Sequence, residues 1–217
     1  MEMLISVEGD QYEALRVFCI GRNYAAHIEE LKSERLEAPT MFSKPPTSLV
    51  PPGTDIRMPV HGNDLQHEAE VVVLIGKEGA PKDQEEATDF IRALSLGLDM
   101  TLRDVQRVQK EKGLPWEIAK SFDQSAPIGT FSPYNDTFDL GNIPFSCHVN
   151  GELRQQGNTG DMIFPIPAQV LGVSRIWRLL PGDLIYTGTP AGVGSLKPGD
   201  TISVESELMG PFSWNIR

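Results

Sequence analysis

Cysteine is scarce in this sequence, and the two cysteines that occur are far apart. Cys19 and Cys147 form no CxxC pair, and each lies among apolar neighbours. The spacing gives no sign of a disulfide framework or of a cysteine-based metal site. We therefore predict two small, buried apolar side chains in an intracellular protein.

Long apolar runs and positive charge are also lacking. No run approaches the roughly 20 apolar residues of a membrane span, and residues 1–8 have neither the basic start nor the apolar centre of a signal peptide. The chain has 19 Lys and Arg against 30 Asp and Glu, a formal net charge of −11. That field repels phosphate backbones and anionic membranes, so we expect neither nucleic acid nor a membrane as partner. The cytoplasm is the expected location.

Turn-forming residues are abundant. The 217 residues contain 17 prolines and 20 glycines, which favour many short strands over long helices. The length fits one domain with a small N-terminal extension. Strands with a few separate helices predict an α+β fold rather than the βαβ alternation of a doubly wound sheet.

Local patterns place several elements. Asn150-Gly151 between two strand-like runs predicts a hairpin with a type I′ turn. The β-branched run at residues 67–75 predicts a strand. Helices are expected at 83–94 after an Asp cap, at 101–112 before Gly113, at 167–180, and less strongly at 25–35.

Two acidic residues stand on the strand predicted at 67–75. Glu68 and Glu70 are two residues apart, so the strand period aims both side chains at one face. Two carboxylates about 4 Å apart repel by about 4 kcal/mol at an effective dielectric near 20, and a cation between them relieves that cost. A solvated strand edge, where the pattern costs little, is the alternative.

Asp99 is a candidate third member of the group. It ends the apolar run at residues 93–98, and a buried carboxylate needs a partner. Capping of the following helix is the competing role, which the sequence by itself favours. If the three carboxylates converge, their oxygen donors favour Mg²⁺, Mn²⁺ or Ca²⁺ over Zn²⁺ or copper.

Five motifs, in order along almost the whole chain, resemble the fumarylacetoacetate hydrolase family. The resemblance is greatest to its short, single-domain acylpyruvase and oxaloacetate decarboxylase branch, through Lys112-Gly-Leu-Pro-Trp116 and Val149-Asn-Gly-Glu-Leu-Arg154. The five motifs are Gly21-Arg22-Asn23-Tyr24, His67-Glu68-Ala69-Glu70, Leu98-Asp99-Met100-Thr101 with Arg103-Asp104-Val105-Gln106, Ala119-Lys120-Ser121-Phe122-Asp123 and Thr187-Gly188-Thr189-Pro190.

The resemblance implies a β-rich roll of mixed sheets with a few short helices, usually dimeric, and a small keto acid as substrate. It implies residues 1–15 as a short extension and 16–217 as the catalytic domain. It also implies Mg²⁺, or Mn²⁺, on Glu68, Glu70 and Asp99. The roles that it implies for other residues are water activation by His27 and Glu30, an active-site lysine at Lys120, and substrate contacts by Arg22, Gln106 and Thr189.

Elementary chemistry supports part of this assignment. His27 and Glu30 share a helix face at a spacing of three, and a carboxylate beside an imidazole raises its basicity. Two surface residues on a charged helix are the alternative. Three ligand carboxylates, a divalent cation and a dicarboxylate need further positive charge, for which Lys120, Arg22 and Lys44 are candidates. Lys44 could instead be a solvated loop residue.

The glycine-rich stretch at residues 188–194 lacks the Gly-Lys-Ser/Thr ending of a phosphate loop. We expect a turn there that brings backbone N–H groups and Thr189 near a carboxylate. No Gly-x-Ser-x-Gly elbow is present, which argues against a serine hydrolase.

The functional hypothesis is metal-dependent cleavage of C–C bonds in small keto acids: hydrolysis of acylpyruvates, decarboxylation of oxaloacetate, or both. Within the family the alternatives are an isomerase or decarboxylase of aromatic-catabolism diacids of the 2-hydroxyhepta-2,4-diene-1,7-dioate type, and an oxaloacetate tautomerase. A non-catalytic Ca²⁺-binding β-domain is the alternative from another class.

Overall fold

The computed structural model describes residues 3–31 and 38–217. Strands dominate these residues and are mostly short, as the frequent Pro and Gly predict. In chain order the strands are β1 (Leu4–Val7), β2 (Asp10–Glu13), β3 (Val17–Gly21), β4 (Thr40–Lys44), β5 (Leu49–Val50), β6 (Asp55–Ile56), β7 (Leu65–His67), β8 (Ala69–Ile75), β9 (Ile91–Leu98), β10 (Thr101–Leu102), β11 (Ala126–Pro127), β12 (Ser132–Pro133), β13 (Pro144–Val149), β14 (Glu152–Asn158), β15 (Leu184–Tyr186), β16 (Gly194–Ser195), β17 (Thr201–Glu205) and β18 (Phe212–Ile216).

Helices in the described residues are few and short. Two single 3-10 turns, Pro46–Ser48 and Thr159–Asp161, accompany them. No described helix has both the length and the apolar character needed to span a bilayer. The α-helices are α1 (Ala25–Glu30), α2 (Gln84–Thr88), α3 (Arg103–Glu111), α4 (Glu117–Lys120) and α5 (Ile166–Ser174).

Two larger sheets organise the chain. One has six strands in the order β12-β9-β8-β15-β3-β4, and the other has five in the order β14-β13-β17-β18-β6. Both are mixed: β15 runs parallel to β3, β18 runs parallel to β6, and the remaining pairs are antiparallel. Three small sheets, β1-β2, β11-β5 and β10-β7-β16, complete the fold. The predicted α+β class and mixed-sheet roll are confirmed.

The six-stranded sheet is buried on both faces. All seven residues of β8 are buried, and successive side chains enter two separate apolar clusters. Val71 and Val73 belong to one cluster, and Val72 and Leu74 to the other. Glu70 is on the same face of β8 as Val72 and Leu74, because alternate residues of a strand share a face. Its carboxylate therefore lies at the end of the face that contains the second apolar cluster.

Some predicted elements are confirmed. The hairpin of β13 and β14 turns at Asn150 and Gly151, whose φ angles of 54° and 79° are those that a type I′ turn needs. The helix predicted at 101–112 is α3, with Gly113 at a positive φ of 63° after its end. Cys19 and Cys147 are buried free thiols.

The helix predicted at residues 83–94 is wrong beyond Thr88. Asp83 does cap it, because its side chain accepts a hydrogen bond from Glu86 N at 2.9 Å. The following residues instead form β9, which pairs with β8 from Ile91 to Leu98. Long-range sheet pairing therefore outweighs the local helix propensity of this run.

Two further boundaries differ. The helix predicted at 167–180 ends at Ser174, because Leu179 forms a bridge with Gly79 and turns the chain away. The strand predicted at 67–75 is divided at Glu68, because β7 belongs to the small sheet β10-β7-β16 and β8 to the six-stranded sheet. The helix predicted at 25–35 is observed as α1, and residues 32–35 lie outside the described residues.

Candidate active site

The register of β8 and β9 brings the three acidic residues together. Ala69 is opposite Leu98, and Asp99 N donates a hydrogen bond to Glu68 O at 2.8 Å. The residues that flank this pair, Glu68, Glu70 and Asp99, are all buried, and one carboxylate oxygen from each lies within 4.8 Å of the others. Asp99 does not cap α3, whose N-terminal cap is Leu102. The capping role and the solvated-edge alternative are therefore wrong.

Three cations contact two of these carboxylates. Lys120 Nζ lies 2.6 Å from both Glu68 Oε2 and Asp99 Oδ2. Arg103 donates from Nη2 to Glu68 Oε1. Lys44 Nζ lies 2.8 Å from Asp99 Oδ1 and forms an ion pair with it, but the angles do not meet those of a hydrogen bond. The lysines come from α4 and β4, so three separate elements supply the compensating charge.

The carboxylates differ in their electrostatic surroundings. Burial opposes ionisation of Glu68, but Lys120 and Arg103 outweigh it and hold the pKa of Glu68 well below its ordinary value. Burial, together with the charges of Asp99 and Glu68, raises the pKa of Glu70 well above its ordinary value. No described Lys, Arg or His forms an ion pair with Glu70.

The donor set fits a hard divalent cation. Three buried carboxylates offer only oxygen, and no Cys is close enough to join them among the described residues. Within residues 3–31 and 38–217 Glu70 has no cationic partner of its own, so a divalent cation between the three groups would offset its burial and the repulsion from its neighbours. A cluster with three protein ligands leaves positions for water or for a chelating ligand.

The loop after β15 holds Glu70 from the opposite side. Gly188 N donates a hydrogen bond to Glu70 Oε2 at 2.8 Å. Gly188 has φ of +98°, and a Cβ there would lie 2.7 Å from the Cβ of Asn23. Only glycine fits this close approach. The glycine-rich stretch thus brings a backbone N–H to a carboxylate, although that carboxylate belongs to the protein.

Thr189 is fixed through a buried glutamine from the other large sheet. Its hydroxyl donates to Ala69 O at 2.9 Å and accepts from Gln155 Nε2 at 2.8 Å. Gln155 Oε1 also accepts from Ala69 N at 3.0 Å and lies 3.0 Å from His67 Nδ1. The backbone between Glu68 and Glu70 is therefore tied to β14.

His27 and Glu30 form the contact expected from their spacing. His27 Nδ1 lies 3.2 Å from Glu30 Oε2, and Glu30 Oε1 accepts from Gly192 N at 3.0 Å. His27 is buried, whereas Glu30 is partly exposed. Burial lowers the pKa of His27 despite the opposing effects of Glu68 and Glu30, so its imidazole is neutral near pH 7.

A cavity of about 40 Å³ opens beside these groups. That is room for a few water molecules or a small ligand. Arg22 lies at its wall with a left-handed φ of 61°, a conformation that non-glycine residues keep mainly under functional or packing constraint. The predicted site residues that line it are Arg22, His27, Glu68, Glu70, Asp99, Gln106, Lys120 and Thr189.

Two predicted site residues lie behind the wall rather than in it. Glu30 reaches the cavity only through His27. Lys44 is buried in β4, where its ammonium faces Asp99 and donates to Met100 O at 3.3 Å. Lys44 is therefore not a solvated loop lysine, and its placement does not support the predicted direct contact with substrate.

Eight cavity residues had no predicted role, and four of them have charged or large aromatic side chains. Arg103 and Lys110 flank Gln106 on α3 at spacings of three and four, so one helix face carries all three. From that spacing the sequence could have placed Arg103 and Lys110 beside Gln106. The aromatic wall of Phe42 and Trp116, whose ring centroids are 6.0 Å apart, had no comparable signal because it joins β4 to a distant loop.

The fold and the cavity define a class: a β-rich enzyme domain whose buried carboxylates suit a divalent cation. Residues 16–217 match the family model described as fumarylacetoacetate (FAA) hydrolase C-terminal. The chain therefore belongs to the fumarylacetoacetate hydrolase family, as its motifs predict.

Known relatives agree with this placement. The chain is 46% identical over 186 residues to the mitochondrial oxaloacetate tautomerase of Mus musculus, covering 86% of this chain and 84% of the relative. It is 43% identical over 188 residues to the mitochondrial oxaloacetate decarboxylase of Dictyostelium discoideum, covering 86% of each. The crystal structure of fumarylpyruvate hydrolase from Pseudomonas aeruginosa with Mn²⁺ and pyruvate matches with a TM-score of 0.93 and 35% identity, over 99% of this chain and 95% of that one.

Proposed function

We propose that this protein cleaves C–C bonds in small keto acids, by hydrolysing acylpyruvates, by decarboxylating oxaloacetate, or by both reactions. The observation that carries the proposal is the buried cluster of Glu68, Glu70 and Asp99 in a small cavity lined by His27 and Lys120. Relatives described as acting on oxaloacetate and fumarylpyruvate support this substrate class.

In this proposal Glu68, Glu70 and Asp99 hold Mg²⁺, and Mn²⁺ or Ca²⁺ is the alternative. The donor chemistry and the Mn²⁺ in the fumarylpyruvate hydrolase structure support a hard divalent cation. When bound, such a cation supplies Lewis-acid polarisation of the α-keto carboxylate. It also leaves the cavity positive overall, because Lys44, Arg103 and Lys120 already balance the three carboxylates.

For an acylpyruvate, His27 takes a proton from water, and Glu30 orients and supports the imidazole. The water oxygen bonds to the distal acyl carbon, the bond from that carbon to C3 breaks, and its electron pair becomes the pyruvate enolate. The proton held by His27 then returns to C3, giving pyruvate and a carboxylic acid. Lys120 stabilises the developing negative charge.

For oxaloacetate, the bond between C3 and the distal carboxylate breaks without an attacking water. CO₂ leaves, the electron pair again becomes pyruvate enolate, and a solvent proton completes pyruvate. Lys120 serves the same purpose in this reaction. Tautomerisation of oxaloacetate is the second candidate, favoured by the relative in Mus musculus, and moves a proton between C3 and the keto oxygen without breaking a C–C bond.

Arg22, Gln106 and Thr189 are the proposed substrate contacts, because their side chains line the cavity. For Lys44 we replace direct substrate binding by a positioning role: it holds Asp99 Oδ1 from behind the cavity wall. Lys44→Met should then change Mn²⁺ affinity, through the position and charge of Asp99, more than it changes KM for a keto acid.

The test is an assay of the purified protein with Mg²⁺ or Mn²⁺ against acetylpyruvate, oxaloacetate and a homoprotocatechuate-pathway diacid. Product analysis separates acetate, CO₂ and isomerised diacid. We expect metal-dependent release of pyruvate from acetylpyruvate, from oxaloacetate or from both. Isomerisation of the diacid with no pyruvate from either keto acid would favour the isomerase alternative, and Ca²⁺ binding without any turnover would favour the non-catalytic domain.

The proposal also includes the domain bounds, the oligomeric state and the cellular location. Residues 1–15 would be an extension, and 16–217 the catalytic domain, the span that the family model also matches. A homodimer is proposed from the resemblance to the family, and light scattering would test it. A cytoplasmic location is tested by cell fractionation, because the relatives in Mus musculus and Dictyostelium discoideum are described as mitochondrial.

A further inference from the structure

The two lysines that line the cavity, Lys110 and Lys120, differ in their partners. Lys44, Arg103 and Lys120 each contact a buried carboxylate. Lys110 also lines the cavity, but its ammonium has no carboxylate within ion-pair distance in the described residues. A positive charge that faces a cavity and has no acidic partner in the described part of the chain is suited to an anionic ligand.

The helix face carries Lys110 away from the carboxylates and towards solvent. Gln106 is buried and accepts from Arg103 Nη1 at 2.7 Å, whereas Lys110, one turn further along α3, is an exposed residue. The cavity therefore has an inner end at Glu68, Glu70 and Asp99 and a mouth at Lys110.

Two aromatic rings join these ends. Lys120 Nζ lies 5.1 Å from the centroid of Phe42, and Lys110 Nζ lies 5.2 Å from that of Trp116. The two rings are 6.0 Å apart. A ligand whose head is held at the inner end would run along this wall with its tail near Lys110.

The surroundings of Lys110 also favour an anion there. Partial burial of its ammonium and the positive charges of Arg103 and Arg22 lower the pKa of Lys110 to about 8, although the residue as a whole is exposed. These neighbours repel one another's charge, and a bound carboxylate would relieve that repulsion.

We propose that Lys110 binds the carboxylate of the substrate that lies farthest from its keto group. It thereby selects dicarboxylic keto acids over acylpyruvates with an uncharged end. This inference rests on the proposed function, since the inner end must hold the α-keto carboxylate for the second carboxylate to reach the mouth.

The experiment compares wild type with Lys110→Met, Lys110→Arg and the matched control Lys112→Met, which removes an exposed charge just beyond the end of α3. The first readout is KM and kcat for oxaloacetate and acetylpyruvate with Mn²⁺. Lys110→Met should raise KM for oxaloacetate by about 10- to 100-fold, the usual effect of losing a charge-assisted hydrogen bond, and should not lower kcat, because the bound carboxylate loses its charge as CO₂ leaves. KM for acetylpyruvate should change less than about twofold.

Lys110→Arg should retain most selectivity, and Lys112→Met should match wild type. Equal rises in KM for both substrates in Lys110→Met, or no rise for oxaloacetate, would overturn the proposal. Unchanged melting temperatures would show that each variant folds as the wild type does.

A binding readout separates this inference from the proposed function. Calorimetry of the Mn²⁺-loaded protein would use pyruvate and 2-oxoglutarate, a keto diacid that lacks the β-carboxylate lost in decarboxylation. Lys110→Met should weaken 2-oxoglutarate by about tenfold and leave pyruvate unchanged. If wild type binds both ligands and Lys110→Met weakens both equally or neither, only the Lys110 proposal fails. If wild type binds neither, the proposed function fails with it.

Discussion

The ammonium nitrogen of Lys120 lies 2.6 Å from Asp99 Oδ2 in a part of the cavity wall where both side chains are buried. Burial opposes the charged ammonium, but Asp99 and Glu68 outweigh it and raise the pKa of Lys120. The residue therefore keeps its positive charge at neutral pH, beside carboxylates suited to a metal ion. Its ammonium can stabilise the negative charge that develops on a substrate, although Lys120 is not a metal ligand.

We expect Lys120→Met to lower kcat for acetylpyruvate and oxaloacetate by about 10²–10³-fold, because a donor aimed at developing negative charge has that typical effect. Mn²⁺ affinity should stay the same or rise, since the variant removes a positive charge beside Glu68 and Asp99. Steady-state kinetics and Mn²⁺ titration measure the two quantities. Loss of Mn²⁺ binding together with activity would contradict this role.

The second prediction separates hydrolysis from decarboxylation. His27→Ala should reduce hydrolysis of acetylpyruvate by about 10²-fold or more, the usual effect of losing a general base. Decarboxylation of oxaloacetate should fall less, because it needs no attacking water. The measurement is kcat/KM for both substrates at fixed Mg²⁺. Parallel losses would mean that His27 positions substrate rather than activating water.

The pH dependence of hydrolysis should follow His27. Its pKa lies below the ordinary value of 6.5, so the neutral base is present at and above that pH. As pH falls below 6.5, protonation removes the base and kcat/KM for acetylpyruvate should decline; a bound cation would push the decline to lower pH still. A decline that starts above pH 7, or one that persists in His27→Ala, would assign it to another group.

The sequence could predict that Glu68 and Glu70 share a face, that His27 contacts Glu30, and the fold class, but not every contact. Strand spacing indicates a common face for Glu68 and Glu70, whereas the approach of Asp99 depends on the register of β8 and β9. Gln155 reaches Thr189 from another sheet, a pairing that no local pattern encodes. Pairing with β8 likewise explains why residues 91–94 form a strand where local propensity predicts a helix.

A stability prediction concerns an ion pair at the end of the six-stranded sheet that lies away from the site. Arg16 forms a two-point contact with Asp183, with Nε to Oδ1 at 2.8 Å and Nη2 to Oδ2 at 2.5 Å, and Asp183 is fully buried. Arg16→Met should lower the free energy of unfolding by about 2–3 kcal/mol, because it leaves a buried carboxylate without its cation; the partial exposure of Arg16 reduces the loss below that of a fully buried pair.

The melting temperature should then fall by roughly 5–10 °C. The matched control is Arg178→Met, which breaks an exposed ion pair with Glu78 and should cost less than about 1 kcal/mol. Equal effects of the two substitutions would show that the buried pair gives no special stabilisation.

The most direct test of the metal centre is Mn²⁺ titration of wild type and Glu70→Gln, with turnover of oxaloacetate and acetylpyruvate followed in the same samples. Glu30→Gln is the control, because Glu30 contacts His27 and does not belong to the carboxylate cluster. We predict one Mn²⁺ per wild-type chain, retained binding in Glu30→Gln, and at least about 10²-fold weaker binding in Glu70→Gln with loss of both activities. Wild-type Mn²⁺ affinity in Glu70→Gln, or full turnover by chelated wild type, would contradict the account.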